Sequence, residues 1–328
     1  MLVLRFCLMV AIALTIAPQV TFIDPRLSAF EAFAPQFGIG SLALAAILAF
    51  RHRKLALAGV VAAAWNAFLV LPTVIPPSQA SVQDGSTLKV LNLNLWYENQ
   101  RFAETLYYLK NSGADVIGLN EVTPASKVLL EALRPNYPYS VDCVETQVLC
   151  DVMLLSRLPI QNGFAGSAGA KFAYVARGDI DWQGRAVSVV TTHPTLPFVQ
   201  QDRAAMLALL PPDDPSPQLP GAPLVWQSMQ VAAVAQYSAS LAPERIVMGD
   251  FNSVAWGKAQ TAFRAATGLD NRGHFAPTWT LQLPFVFRTQ IDHVFTGGDL
   301  VVTRFQAGPD VGSDHLPVEA EIALRGKD

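Results

Sequence analysis

Two short segments that begin with glycine carry residues suited to metal-assisted hydrolysis. One is Gly249–Asn252 (GDFN) and the other is Gly312–His315 (GSDH). An Asp/Asn pair and an Asp/His pair at strand ends can hold a divalent cation and activate a water molecule against a phosphate ester. Either segment alone is more typical of a turn or a helix cap, so the interpretation depends on further polar residues in a consistent order.

Those further residues follow apolar runs that predict β-strands. Polar side chains at strand ends can converge on one site. The predicted strands are Leu88–Trp96, Gly113–Glu121, Val187–His193, Arg245–Asn252 and Gln290–Phe295. Together with the second glycine segment they would deliver Asn94, Glu121, His193, Asp250, Asn252, Asp292, Asp314 and His315.

In these motifs the chain resembles the endonuclease/exonuclease/phosphatase superfamily, which includes deoxyribonucleases, apurinic endonucleases and sphingomyelinases. The resemblance spans roughly residues 86–325. It rests on ordered blocks at Asn94, Leu119–Glu121 (LNE), Asp151–Ile160 (DVMLLSRLPI), Thr192–Pro194 (THP), Gly249–Asn252, Ile291–Phe295 (IDHVF) and Gly312–Val318 (GSDHLPV). Two positions depart from the family pattern: Asn120 stands where Gln usually precedes the metal-binding Glu, and the phosphate-contacting Tyr of the apurinic endonucleases has only Tyr174 as a candidate counterpart.

The strand and helix pattern supports an α/β fold. The resemblance implies a four-layered α/β sandwich, in which two packed mixed sheets are covered by outer helices.

The expected cofactor is Mg²⁺, with Mn²⁺ as an alternative. Glu121 is the first candidate ligand, because Mg²⁺ is typically held by one or two carboxylates together with water and substrate phosphate. Asn94, which resembles the first Asn of the family, would give an amide oxygen to the metal or position Glu121. Asp314 would bind a second metal or the attacking water.

The predicted catalytic residues are Asp250, Asn252, His193, Asp292 and His315. Asp250 would orient or deprotonate the water, and Asn252 would hold that water or a phosphoryl oxygen. Asp292 would fix the tautomer of His315, which acts as a base or contacts the phosphate in the resembling families. His193 resembles a family histidine that donates to the phosphate or the leaving group.

The sequence says less about three residues near the predicted catalytic residues. His293 follows Asp292 on a strand and should therefore point to the opposite face, as a core or surface residue. Thr278 and Trp279 could line the pocket, although a loop tryptophan more often serves packing.

Residues 1–75 form a membrane anchor in this interpretation. Mean hydropathy is +0.30, and its origin is local: the apolar runs are Leu2–Ala17, Phe37–Phe50 extended back to Phe33, and Leu55–Val74. They predict about three transmembrane helices, of which the first could instead be a signal peptide. The basic cluster Arg51–Lys54 should be cytoplasmic. The catalytic domain would then face the periplasm or the exterior from the cytoplasmic membrane.

The predicted domains are the anchor at 1–75, a linker rich in Pro, Ser and Gly at 76–86, and the catalytic domain at 87–328. A second proline-rich stretch, Pro211–Pro223, would be a surface loop between helices at Gln200–Leu210 and Leu224–Leu241. Outside the cytoplasm, Cys143 and Cys150 would form a short-loop disulfide.

Charge bears on the substrate. Residues 1–75 hold five of the 23 basic residues and two of the 26 acidic ones, which leaves 18 basic and 24 acidic residues, a net charge of −6, in the rest. A protein that binds long duplex DNA tightly usually shows a basic surface.

The first hypothesis is a membrane-anchored Mg²⁺-dependent phosphodiesterase whose substrate is nucleic acid or phospholipid. Nuclease activity ranks slightly ahead of hydrolysis of a phospholipid or a small phosphoester, because His193 with Asp314 and His315 resembles the deoxyribonuclease pattern as closely as the sphingomyelinase one. The lipid bilayer is the expected partner of the N-terminal helices, and no protein partner is inferred. A non-catalytic phospholigand-binding membrane module is the second hypothesis. A transporter component ranks last, because no charged residue inside a helix marks a pathway.

Overall fold

The computed structural model describes residues 1–21, 23–76, 81–83, 85–147, 149–170, 172–195 and 222–326. Its first part is a bundle of three apolar helices, α1 (Leu2–Ile16), α2 (Ala34–Leu48) and α3 (Arg53–Val74). The helical stretches 2–20, 26–48 and 53–74 are each long and apolar enough to cross a membrane. Large apolar side chains such as Phe6 and Phe68 are exposed on them, as expected for surfaces that face lipid.

Two mixed β-sheets follow the helices. The first contains β1 (Leu88–Asn94), β2 (Val116–Asn120), β3 (Tyr139–Asp142), β4 (Met153–Ser156), β10 (Leu300–Ala307) and β11 (Val318–Leu324). The second contains β5 (Ile160–Ser167), β6 (Tyr174–Trp182), β7 (Arg185–Thr192), β8 (Arg245–Asp250) and β9 (Asp292–Thr296). The strand orders are β10-β11-β1-β2-β4-β3 and β5-β6-β7-β8-β9.

Each sheet has one parallel pair at its centre, β1 with β2 and β7 with β8. These strands are almost entirely buried, which fits their continuous apolar sequences. The carboxyl ends of parallel neighbours lie at the same edge of a sheet. The topology therefore brings the residues after β1, β2, β7 and β8 together.

In the described part of the chain, four further helices cover the outer faces: α4 (Phe102–Asn111), α5 (Pro124–Leu130), α6 (Ala222–Ala239) and α7 (Lys258–Thr267). Leu109 of α4 and Leu130 of α5 share an apolar cluster with the first sheet. Val234 of α6 and Phe263 of α7 share one with the second sheet. A third cluster lies between the sheets. The predicted four-layered α/β sandwich is therefore confirmed.

The anchor packs directly on the sandwich. Ala34 of α2 and Val70 of α3 share an apolar cluster with Val254, Trp256 and Ile291. The indole Nε1 of Trp256 donates to the carbonyl oxygen of Glu31 at 2.6 Å, and the Lys258 ammonium donates to the carbonyl oxygen of Pro18. The predicted anchor and catalytic domain are thus in extensive contact.

The predicted linker at 76–86 is also attached where the structure describes it. Val82 pairs with Arg325 beyond the end of β11, and just before the linker the carbonyl oxygen of Thr73 accepts from the backbone nitrogen of Gly273 at 2.8 Å. Residues 77–80 and 84 of the predicted linker lie outside the described residues. The expected spacer between anchor and domain is therefore fixed at both of its ends.

The remaining local predictions have mixed outcomes. Cys143 and Cys150 are joined by a disulfide bond. The helix predicted at Leu224–Leu241 is present as α6. The helix predicted at Gln200–Leu210 and most of the proline-rich stretch, residues 211–221, lie outside the described residues.

Candidate active site

Asn94 ties together the carboxylates at the shared edge of the two sheets. Its Nδ2 donates to Glu121 Oε1 at 3.0 Å and to Asp250 Oδ2 at 3.1 Å, although Asp250 belongs to the other sheet. Its Oδ1 accepts from the backbone nitrogen of Trp96. The amide nitrogen of Asn94 therefore faces the carboxylates. This orientation favours positioning of Glu121 over metal ligation, while the ligand role of Asn94 stays a prediction.

Asn120, the departure from the family pattern, connects the two sheets beneath this edge. Its buried Oδ1 accepts from Asn92 Nδ2 at 3.1 Å and from the backbone nitrogen of Asp250 at 3.0 Å. Its Nδ2 donates to the carbonyl oxygen of Thr192 at 3.0 Å. A short amide at this position is thus fully used in holding β2 against β7 and β8.

Asp250 lies at the centre of the site and is almost completely buried. The preceding Gly249 permits this position, because a Cβ there would lie only 2.0 Å from the carbonyl oxygen of Thr192. Burial raises the pKa of the Asp250 carboxyl to about 6, although the neighbouring histidines favour its charged form. Asp250 Oδ1 accepts from the backbone nitrogen of Asn252 at 2.8 Å.

Asp292 and His315 form the buried pair that the sequence predicts. His315 Nδ1 donates to Asp292 Oδ2 at 2.9 Å, and Thr278 Oγ1 donates to the same oxygen at 2.5 Å. Ser313 Oγ accepts from the His315 backbone nitrogen and donates to the carbonyl oxygen of Asn94 at 2.7 Å, which fixes the loop. Burial lowers the pKa of His315, but the negative charges of Asp292, Asp250 and Asp314 and the hydrogen bond to Asp292 together outweigh it, and the pKa rises to about 9.

A second Asp–His pair was not foreseen from the sequence. His193 Nδ1 donates to Asp151 Oδ2 at 2.7 Å. Burial lowers the pKa of His193, but the nearby negative charges, Asp151 first, raise it to about 10. The sequence feature that could have identified Asp151 as a site residue is its position at the start of the Asp151–Ile160 block, which resembles a family motif.

The two pairs face each other across Asp250. His193 Nε2 lies 3.6 Å and His315 Nε2 lies 3.7 Å from Asp250 Oδ2. His193 Nε2 also lies 3.2 Å from Asn252 Nδ2, which is a hydrogen bond only when Nε2 carries no proton. His193 therefore has a carboxylate neighbour for its cationic form and an amide donor for its neutral form.

Asp314 lies beside His315, with its Oδ1 3.9 Å from His315 Nε2. Trp279 Nε1 donates to Asp314 Oδ2 at 3.2 Å. Burial raises the pKa of the Asp314 carboxyl, and the negative charge of Glu121 acts in the same direction. A hard divalent cation would stabilise the charged form of a carboxylate that lies partly buried beside a second carboxylate.

A second group of possible metal ligands is Asp250, Asp292 and His315, whose ligand atoms lie within 4.8 Å of one another. Within it, Asp292 Oδ1 is buried and has no hydrogen-bond partner in the described structure. His315 Nδ1, however, already donates a hydrogen bond to Asp292 Oδ2 and is not free to bind a metal. The residues at this edge therefore fit a divalent cation, with Glu121 and Asp314 as the more accessible pair.

Other residues singled out in the sequence lie around this site. His293 is buried on the opposite face of β9, where Nε2 donates to the carbonyl oxygen of Ser253 at 2.8 Å and burial lowers its pKa to about 4, so it is a neutral core residue. Tyr174 is buried near Asp151, and both burial and the charge of Asp151 raise its pKa. Trp279 lies at the site itself, against Asp314.

Comparisons with known proteins agree with this architecture. The model of the endonuclease/exonuclease/phosphatase family matches residues 91–315. No curated protein sequence matches the chain.

Solved structures resemble the fold at low sequence identity. An endonuclease/exonuclease/phosphatase from Bacteroides vulgatus has a TM-score of 0.55 and 13% identity and covers 74% of this chain and 100% of its own. Danio rerio (D. rerio) TDP2, complexed with a single-strand DNA product, has a TM-score of 0.54 and 16% identity, and the match covers 73% of this chain and 100% of the TDP2 chain. Beta toxin 275-280 from Staphylococcus aureus has a TM-score of 0.50 and 18% identity, and the match covers 71% of this chain and 99% of the toxin chain.

The fold and the polar strand ends define a phosphoesterase of the α/β sandwich type. The chain belongs to the endonuclease/exonuclease/phosphatase family, and it is a metal-dependent phosphoester hydrolase.

Proposed function

We propose that this protein is a membrane-anchored, Mg²⁺-dependent phosphodiesterase whose catalytic domain, 87–328, lies outside the cytoplasm. The observation that carries the proposal is the arrangement of two Asp–His pairs around Asp250, with Glu121 and Asp314 alongside. A binding module would have no need of two histidines held in cationic form beside a carboxylate of raised pKa.

Glu121 and Asp314 would hold the cation, and Mg²⁺ fits their carboxylate oxygens better than a softer metal would. Asn94 would orient Glu121 through its amide nitrogen. A bound cation would supply Lewis-acid polarisation of a phosphoryl oxygen. Mn²⁺, which accepts the same kind of ligand, is the alternative.

The protein's own groups would position and move the protons. Asp250, with a pKa of about 6, would orient the attacking water and accept its proton. The cationic rings of His193 and His315 would donate through Nε2, one to the leaving oxygen and one to the phosphate. Asn252, whose Nδ2 donates to the carbonyl oxygen of Pro194 at 2.9 Å, would hold the water and would donate to His193 Nε2 once that atom has given up its proton.

The membrane setting follows from the three apolar helices. We infer from the basic turn Arg51–Lys54 that this end of the bundle is cytoplasmic, since basic loops are retained there. The opposite end, where α1 and α3 end and α2 begins, carries the catalytic domain. Nucleic acid stays a candidate substrate, because the similar TDP2 structure was solved with a single-strand DNA product.

The test is hydrolysis of bis(para-nitrophenyl) phosphate by the full-length protein in detergent micelles. We expect turnover with Mg²⁺, loss of turnover with EDTA, and recovery when Mg²⁺ is restored. Asp250→Asn should lower turnover by about a hundredfold or more, the scale of a lost proton-transfer group. Asp299→Asn, which removes a carboxylate at the exposed ion pair with Arg185, is the matched control. Turnover that survives both EDTA and Asp250→Asn would show that the site is assigned wrongly.

A further inference from the structure

A large cleft separates the anchor from the catalytic sandwich on one side of their interface. Its volume is about 640 Å³, within the range of roughly 300–1,000 Å³ that is usual for ligand pockets. Among the described residues, Ala29 and Ala32 from the anchor form one wall, and Val225, Met229 and Ile291 from the sandwich form the other. The walls are mainly apolar.

The cleft reaches the candidate active site. Asn252 and Trp279 both line it. Asn252 contacts the His193 ring, and Trp279 donates its indole N–H to Asp314. A molecule whose phosphate lies at the catalytic carboxylates could therefore place an attached chain in the cleft.

The docked anchor places the cleft at one end of the helix bundle. Its anchor wall belongs to the 3₁₀ segment Pro25–Phe33, which leads directly into α2. This segment is held to the sandwich because Glu31 accepts from the Trp256 indole and from the Lys258 backbone nitrogen. The cleft therefore lies beside the start of α2, at the end of the helix bundle that meets the sandwich. In a bilayer crossed by these helices, it would lie near the level where lipid head groups meet hydrocarbon chains.

An exposed apolar loop lies at the same level. Phe285, Val286 and Phe287 form a 3₁₀ turn and are 66%, 64% and 49% exposed. The carbonyl oxygen of Val286 accepts from Gln36 Nε2 at the start of α2. Neighbouring large apolar side chains exposed beside a membrane helix are typical of insertion into the interface of a bilayer.

The same loop is connected to the catalytic residues. The backbone nitrogen of Leu281 donates to the carbonyl oxygen of Asp314 at 3.1 Å. Trp279, two residues earlier, forms a β-bridge with His315. A loop that inserts into the bilayer would thus hold the mouth of the site at the lipid surface.

From these observations we propose that the substrate is a lipid phosphoester of the membrane that holds the protein, with its hydrocarbon chain in the cleft between anchor and sandwich. This inference rests on the proposed function and names its substrate class. In the reaction a water molecule adds its OH to phosphorus, a phosphorus–oxygen ester bond breaks, and the leaving oxygen takes the remaining proton. The net charge of −6 outside the anchor makes a long polyanion the less suitable occupant.

The experiment compares three substrates with the full-length protein. The lipid arm uses vesicles of dioleoyl phosphatidylethanolamine and dioleoyl phosphatidylglycerol that contain the protein, and measures release of water-soluble head groups. The other arms use bis(para-nitrophenyl) phosphate and a single-stranded oligonucleotide. Ala29→Trp fills the cleft, and Ala103→Trp on the exposed face of α4 is its matched control.

We expect hydrolysis of the vesicle lipid, and a ratio of lipid to aryl ester hydrolysis that falls about tenfold or more in Ala29→Trp, the scale of steric exclusion from an apolar pocket. Ala103→Trp should leave the ratio unchanged. A second pair, Phe285→Ser/Val286→Ser against Val128→Ser/Leu129→Ser on exposed α5, should lower the ratio about fivefold in the loop variant only.

The outcomes separate the two proposals. Aryl ester hydrolysis without lipid hydrolysis would defeat the lipid inference and leave the phosphodiesterase proposal standing. Faster cleavage of the oligonucleotide than of the lipid would overturn the inference in favour of a nuclease. An unchanged ratio in Ala29→Trp would remove the cleft as the lipid site. If the wild-type protein hydrolysed none of the three substrates, the proposed function itself would be refuted.

Discussion

Replacing Asp151 by Asn tests the pair that the sequence did not reveal. The amide can still accept from His193 Nδ1, which Asp151 does at 2.7 Å, but its negative charge is gone. That charge is the main reason that the pKa of His193 reaches about 10. Without it, we expect a pKa near or below the ordinary value of about 6.5.

The size of the effect depends on pH. At pH 8.5 a pKa of about 10 leaves nearly all of His193 cationic, whereas a pKa of about 6.5 leaves roughly 1% cationic. If the cationic ring donates to the leaving group, kcat/KM of Asp151→Asn should fall about a hundredfold at pH 8.5 and less than about threefold at pH 6.

The assay is the pH profile of aryl phosphodiester hydrolysis at saturating Mg²⁺, with Asp299→Asn as the control for an added amide. An equal loss at both pH values would show that Asp151 acts only by holding the ring. A variant with the wild-type profile would refute the contribution of the pair to proton transfer.

Three other predictions follow from local structure. Replacing Cys143 and Cys150 by Ser should lower the free energy of unfolding by about 2–3 kcal/mol in the chain-entropy model of a short loop, and equal unfolding midpoints in urea for wild type and variant would contradict this. Gly249→Ala should lower the thermal unfolding midpoint and abolish turnover, since its Cβ would meet the carbonyl oxygen of Thr192; a variant with full activity would show that the strands can separate there at little cost. The C-terminus should lie outside the cytoplasm, because the Arg51–Lys54 turn is expected in the cytoplasm. A C-terminal alkaline phosphatase fusion should therefore be active, and a C-terminal green fluorescent protein fusion exported by the general secretory route should not fluoresce. The reverse pattern would show that the C-terminus is cytoplasmic.

The sequence was sufficient for much of the fold because strand ends and apolar runs are local patterns. The strand predicted at Arg245–Asn252 is observed as Arg245–Asp250, and the one at Val187–His193 as Arg185–Thr192. Such boundaries differ by a residue or two because residues that turn toward the site leave the ladder. The three apolar runs correspond to α1, α2 and α3, because a continuous apolar run is also a local pattern.

The side-chain partnerships were harder to predict because they join distant parts of the chain. Asp151 and His193 are 42 positions apart, and nothing in the sequence around either residue names the other. The orientation of Asn94 is also a tertiary property, since its amide nitrogen is turned by Glu121 and Asp250 from two different sheets. Residue types at strand ends indicate the members of a site, but not which atom each one presents.

The position of the anchor was the least accessible feature, and it changes how the enzyme is to be studied. A linker rich in Pro, Ser and Gly suggests a spacer, yet Trp256 and Ile291 of the sandwich are buried against Ala34 and Val70 of the anchor. Removing residues 1–75 would expose this apolar surface and would leave the Trp256 indole without the carbonyl oxygen of Glu31. It would also delete one wall of the cleft beside the active site. The N-terminal helices are therefore part of the structure that shapes the site, and the full-length protein is the unit in which substrate choice has to be measured.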